Sequence, residues 1–256
     1  MAVALTRQDE FAVLTLNRAE ALNALNAETI REISEAIDGA ARMEVRALII
    51  TGAGQKAFCA GADVKEMVGI DPIAKKRKAE LGQSTFAKLD TLRIPSVALI
   101  HGYAFGGGLE LALASTFRLG TPRAAMALPE IKLGLMPGYG GTQRLPRVVG
   151  EARALEMIMT GRTVRAEEAL SIGLVNRIVG EETRLEDAIA FAREFSGFSL
   201  VALSYAREAV KRAFASALGE GMKTEAEIST LAFQSNDALE GITAFIEKRP
   251  PNFVDA

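Results

Sequence analysis

Apolar residues along this chain fall into two kinds of run. FAVLTLN (11–17), VRALIITG (45–52) and PSVALIHG (95–102) are short and rich in β-favouring residues, and they predict strands. The second and third are apolar without alternation, the pattern of strands covered on both faces. FRLGT (117–121) predicts a shorter strand. Elsewhere the spacing is helical. After Asn26, Ile30, Ile33, Ile37 and Ala41 recur every three or four residues, which predicts a helix capped by Asn26. The segment from Asp63 to Leu92 is polar, with helical stretches around Pro72. GGGLELALAS (106–115) predicts a helix that starts at its glycines. LPEIKLGLMPGYGGTQRLPR (128–147) reads as loop-rich, with Pro129, Pro137 and Pro146 as breakers. From Glu151 onward the pattern is helical, over 151–159, 166–172, 184–195, 199–214, 219–234 and 237–247. Strand–helix alternation followed by helices predicts an α/β core, residues 1–196, and a helical region, residues 197–256.

Composition narrows the chemistry. The chain has 256 residues, 49% of them hydrophobic and 24% charged, with a net charge of −2. That balance fits a globular protein with a sizeable core and gives no general affinity for nucleic acid or membrane. An anionic ligand would need a local basic patch. Cys59 is the one cysteine, so no intramolecular disulfide forms and a reducing compartment is expected. His101 is the one histidine. Little is left for a zinc or iron–sulfur site, and no metal is expected. Carboxylates are the expected proton carriers. The N-terminus carries Arg7, Asp9 and Glu10 and has no signal-peptide pattern. No apolar run approaches a membrane span. The expected location is cytoplasmic.

The motifs differ in what they support. Gly52, Gly54 and Ala57 match G-x-G-x-x-A after a strand, as in dinucleotide-binding folds. The residues that follow, FCAGAD, show no helical face, and the match lacks its context. There is no phosphate-binding P-loop and no G-x-S-x-G elbow. His101 reads as structural and Cys59 as a small buried hydrophobe. CAGAD (59–63) and GGGLELALA (106–114) carry more. The first backbone N–H groups of a helix lack partners and bear partial positive charge. Gly107 would present such a donor, with Glu110 one turn further on. Ala62 could supply a second donor, and two converging N–H groups make an oxyanion hole. Glu130 lies between two proline-marked bends in an apolar neighbourhood, which favours function over simple solvation.

Taken together, LNRAEALNALN, ALIITGAGQKAFCAGADVKEM, HGYAFGGGLELALA, LPEIKLGLMPGYGGTQRLPR and AFIEKRPPNF resemble the crotonase superfamily, the enoyl-CoA hydratase/isomerase family, over nearly the whole chain. The resemblance implies a spiral of β-β-α units followed by C-terminal helices that build a trimer, two trimers stacking into a hexamer. It implies that the N–H groups of Ala62 and Gly107 bind a thioester carbonyl oxygen. Glu110 and Glu130 match the two hydratase glutamates. Gly138 matches a glycine lining the water and acyl site. Lys56 and Lys248 match positions near the coenzyme A phosphates, Lys248 reaching a neighbouring subunit, and Phe245 an aromatic near the adenine. The implied activity is hydration of a 2-trans-enoyl-CoA to a 3-hydroxyacyl-CoA in acyl-CoA degradation. Coenzyme A arrives with the substrate, and no separate cofactor is implied. The alternatives are a Δ3,Δ2-enoyl-CoA isomerase and a non-catalytic acyl-CoA-binding protein of the same fold. Glu110, near a helix start, is expected to ionise readily and act as base, with Glu130 as acid. The chain departs from the family pattern at Met126-Ala127 and at Tyr139, both of which bear on the acyl pocket.

Overall fold

The apolar strands are buried because helices cover the sheet they form. In a computed structural model describing residues 1–256, strand β1 (Val3–Gln8) pairs antiparallel with β2 (Phe11–Leu16). The sheet then continues in parallel through β3 (Ala47–Gly52), β5 (Ser96–Ile100), β7 (Phe117–Gly120) and β10 (Arg177–Ile178). A second sheet holds β4 (Ala57–Cys59), β6 (Tyr103–Phe105) and β8 (Ala125–Ala127) in parallel, closed by the antiparallel β9 (Val164–Arg165). The order of the two sheets explains the architecture. Each of β3, β5 and β7 lies in the larger sheet. Each is followed by a short strand in the smaller one, β4, β6 or β8, and then by helical chain. Three successive β-β-α turns therefore advance side by side, and the C-terminal ends of β4, β6 and β8 become neighbours.

Helix α1 (Ala27–Ala41) begins as its sequence predicts: the Asn26 side chain accepts the Thr29 N–H at 2.7 Å. Its Ile30, Ile33 and Ile37 are buried in the main core with Leu14, Leu48 and Ile50. A second apolar cluster lies on the other face of the large sheet. There α7 (Arg184–Ser196) sets Phe191 and Ala192 against Phe11, Val13, Ile49 and Val97. Residues 72–91 form one helix, α2 (Pro72–Thr91), not separate stretches. Pro72 occupies the first turn, where its missing N–H costs nothing, and Asp71 accepts the N–H groups of Ile73 and Ala74.

The loop-rich reading of 128–147 holds for residues 134–140 and needs correction on either side. A 3₁₀ turn spans Pro129–Leu133, and α4 (Gly141–Val149) follows with Pro146 inside it. Proline is a breaker mainly because it takes an N–H out of an established helix. Here it stands in the second turn of a nine-residue helix that buries Leu145 and Val149 on the core. The five short strands β4, β6, β8, β9 and β10 carry too few residues to show a period. Helices α5 (Glu151–Thr160) and α6 (Ala166–Ser171) follow α4. After α7, residues 197–199 lead into α8 (Leu200–Arg212), α9 (Leu218–Phe233) and α10 (Asn236–Glu247). The chain end returns to the core, where Asp255 pairs with Arg46 and accepts the Leu200 N–H. No helix is long and apolar enough to cross a membrane.

Candidate active site

The site is built where β4, β6 and β8 end. After β4 the chain runs through Ala60 and Gly61 to Ala62, which forms an isolated bridge with Leu25. After β6 it turns at Gly106 into α3 (Gly107–Ala114). After β8 it enters the turn that carries Glu130. Two close approaches seat α3. A Cβ on Gly108 would overlap the Cys59 carbonyl, so only glycine lets the helix lie against the end of β4. Gly106 has a φ of +50°, and a Cβ there would stand 2.8 Å from Glu130 Oε1. The glycine run thus brings the start of α3 against two other turns of the spiral. Neither the Ala62 nor the Gly107 N–H donates a loop, turn or cap hydrogen bond.

All eight residues of α3 are buried, Glu110 among them. Its Oε1 accepts two backbone N–H groups, from Tyr139 and from Gly141, each at 2.7 Å. That leaves Oε2 as the oxygen with no hydrogen bond to the protein. Burial dominates its acidity and pushes the carboxyl up to about 7. The two N–H donors oppose this, and the nearby Glu130 charge adds to it. The expectation that the helix start keeps Glu110 readily ionised is therefore not met. Desolvation outweighs the dipole because no solvent reaches the helix. Glu130 is partly buried, and its Oε2 is buried with no hydrogen-bond partner. Its carboxyl is also raised by burial, against the pull of the Lys75 ammonium.

Ala62, Gly107, Glu110 and Glu130 thus come together, and Gly138 lies in the same loop as the Tyr139 donor, with open space where a Cβ would stand. Lys56 is exposed in the turn before β4, one short strand away from Ala62. Phe245 and Lys248 are not brought to this cluster within one chain. They stand exposed at the end of α10, which packs chiefly on α9. Asp63, the acid of CAGAD, caps the turn after it by accepting the Lys65 N–H. His101 is buried with its Nε2 unpartnered, and burial lowers its pKa. Burial pushes the Cys59 thiol up to about 12. Sequence reasoning missed the Tyr139 and Gly141 donors and the Lys75 charge. The G-Y-G-G run at 138–141 is visible in the sequence, but nothing in it says which carboxylate its backbone faces.

The ends of two parallel strands thus lead into Ala62 and Gly107 beside one buried and one partly buried carboxyl. The chain belongs to the enoyl-CoA hydratase/isomerase family, whose profile matches residues 6–256. It is 44% identical to a probable enoyl-CoA hydratase of Mycobacterium tuberculosis, over 96% of this chain and 95% of that one. It is 37% identical to a crotonyl-CoA hydratase of Syntrophomonas wolfei, over 98% and 97%. The crystal structure of an enoyl-CoA hydratase from Bacillus anthracis superposes with a TM-score of 0.94 at 34% identity, covering all of both chains.

Proposed function

We propose that the protein is an enoyl-CoA hydratase that adds water across the double bond of a 2-trans-enoyl-CoA, giving a 3-hydroxyacyl-CoA. The observation that carries this is that Ala62, Gly107, the buried Glu110 and the partly buried Glu130 come together from three adjacent turns. Addition of water to C3 and of a proton to C2 passes through enolate-like charge on the thioester oxygen. The N–H groups of Ala62 and Gly107 bind that oxygen where the charge develops, and such a donor is worth about 3–4 kcal/mol of barrier. Glu110 takes the proton from water through Oε2, because Oε1 is held by Tyr139 and Gly141. Glu130 delivers the proton to C2. A pKa near neutrality suits a group that must accept a proton in one direction and return it in the other.

Lys56 contacts the coenzyme A phosphates in this reading. Lys248 and Phe245, remote from the cleft in one chain, serve the site of a neighbouring subunit. The protein works in acyl-CoA degradation as a hexamer of two stacked trimers in the cytoplasm. The test is loss of the conjugated thioester absorbance of crotonyl-CoA. Glu110→Gln and Glu130→Gln each keep side-chain size and remove proton exchange, and each lowers turnover by about 10²–10⁴-fold. A folded Glu110→Gln protein with wild-type turnover sinks the assignment. Conversion of 3-enoyl to 2-enoyl substrate without hydration replaces it with an isomerase.

A further inference from the structure

A cavity of about 1120 Å³ lies at the opposite end of α3 from Gly107, among α2, α4 and α8. Arg118, Arg144, Arg147, Arg207 and Lys211 all line it. Asp90 is the one carboxylate in its lining, and Arg144 and Lys211 both pair with it already. The other three cations meet only uncharged acceptors. Arg118 donates to the Leu174 and Ser115 carbonyls, Arg207 to the Leu92 and Ile94 carbonyls, and Arg147 to the Gln143 carbonyl. Leu92 and Ser115 end α2 and α3, and a helix end is worth roughly half a negative charge. Asp90 and the two helix ends together leave an excess of about three positive charges in the cavity. The chain as a whole carries a net charge of −2, so this concentration is local.

The excess is held where water is scarce. Arg118 is 7% exposed, and its Nη2 makes no hydrogen bond within the protein. Burial lowers its pKa to about 10 and lowers those of Arg207 and Lys211 as well. The Arg207 and Arg144 charges lower Lys211 further. Capping of helix ends accounts for Arg118 and Arg207. It does not account for Arg144, Arg147 and Lys211 lining the same space. The rest of the wall is largely apolar, with Phe117, Phe195, Leu203 and Phe214. Phe214 stands exposed just past the end of α8. Guanidinium forks match the oxygens of a phosphate, and apolar walls suit an organic body. A lone carboxylate would leave most of the excess unmatched, whereas a phosphate monoester carries about two negative charges at neutral pH. Arg144 also donates to the Tyr139 carbonyl at 3.4 Å, so the cavity abuts the loop that holds Glu110.

We propose that this cavity is a second ligand site, separate from the cleft of Glu110 and Glu130, and that it binds an organic phosphate monoester with an apolar body. The probe is naphthyl phosphate, titrated calorimetrically into the full-length protein, with naphthol and inorganic phosphate as its two halves. Naphthyl phosphate should bind about tenfold or more tightly than either half. Arg147→Glu and Lys211→Glu should each weaken it about tenfold or more. Lys56→Ala, at the expected coenzyme A phosphate position, should leave it unchanged. Thermal melts check that each variant is folded. Arg147 is exposed and bonds only within α4, so its variant carries the test if Lys211→Glu, placed beside Asp90, does not fold. Naphthyl phosphate affinity that survives charge reversal in the folded variants overturns the proposal. Loss of binding in Lys56→Ala also overturns it, since the probe would then lie in the cleft. Inorganic phosphate binding as tightly as naphthyl phosphate overturns the ligand class. Absence of saturable binding to wild type overturns the site itself. If both charge-reversal variants then also show a smaller mass by light scattering, acidic side chains of a second copy fill the cavity instead. Hydration plays no part in these measurements, so the site and the hydratase reading stand or fall separately.

Discussion

Glu110 is a carboxylic acid in a helix with no exposed residue, and that position has an energetic signature. Its folded-state pKa is about 7, against an ordinary value of 4.5. Between those two pH values the folded protein holds a proton that the unfolded chain has released. Stability attributable to this group is therefore fully present below pH 4.5 and is lost as pH rises through 7, by about 3 kcal/mol in all. Glutamine at this position can still accept the Tyr139 and Gly141 N–H groups but never ionises. We expect Glu110→Gln to be more stable than wild type at pH 8 and the gap to close below pH 5, as followed by thermal melts across the range. A gap that does not vary with pH would mean that Glu110 titrates normally in the folded protein. The same substitution is expected to abolish most of the turnover, so a gain in stability and a loss of activity would come from one carboxyl.

At the scale of elements, the site depends on how closely α3 sits on β4. Gly108 donates nothing to the cleft, yet a side chain there has no place beside the Cys59 carbonyl. Gly108→Ala must push α3 away, and overpacking of this kind costs about 1–3 kcal/mol. It should also move the Gly107 N–H, so both melting temperature and turnover should fall. Retention of full turnover would show that the helix start need not be held in place. Several of the longer elements were legible in the sequence for plain reasons, though β1 and the continuity of α2 were not. Asn26 with its isoleucines, the apolar runs of β3 and β5, and the six helices after Glu151 each have enough residues to display a period. The second sheet was not legible, because β4, β6 and β8 have three residues each. Glu110 and Glu130 could be picked out from their settings and from family resemblance. Their acidities could not, since burial is a property of the assembled fold and the helix-start argument alone points the other way.

For the molecule as a whole, the C-terminal helices present apolar surface that one chain does not cover. Leu218, Met222, Leu231 and Phe233 on α9 are exposed, as are Leu239, Phe245 and Ile246 on α10, while Ile228 is buried. Clustered exposed apolar side chains favour burial against a partner surface, and we expect other copies of the chain to cover them. We expect a hexamer by light scattering at micromolar concentration, with a trimer as the second choice. A stable monomer would leave these residues unexplained and would remove Lys248 and Phe245 from any neighbouring site.

The two proposed oxyanion donors are main-chain atoms, whereas the two proton carriers are side chains. A change of codon can delete Glu110 or Glu130 in one step, but no substitution short of proline removes the N–H of Ala62 or Gly107. Within such a lineage the power to polarise a thioester is heritable almost independently of the reaction it serves. New activities can then arise by replacing one carboxylate at a time, each intermediate still able to grip and activate the same class of compound.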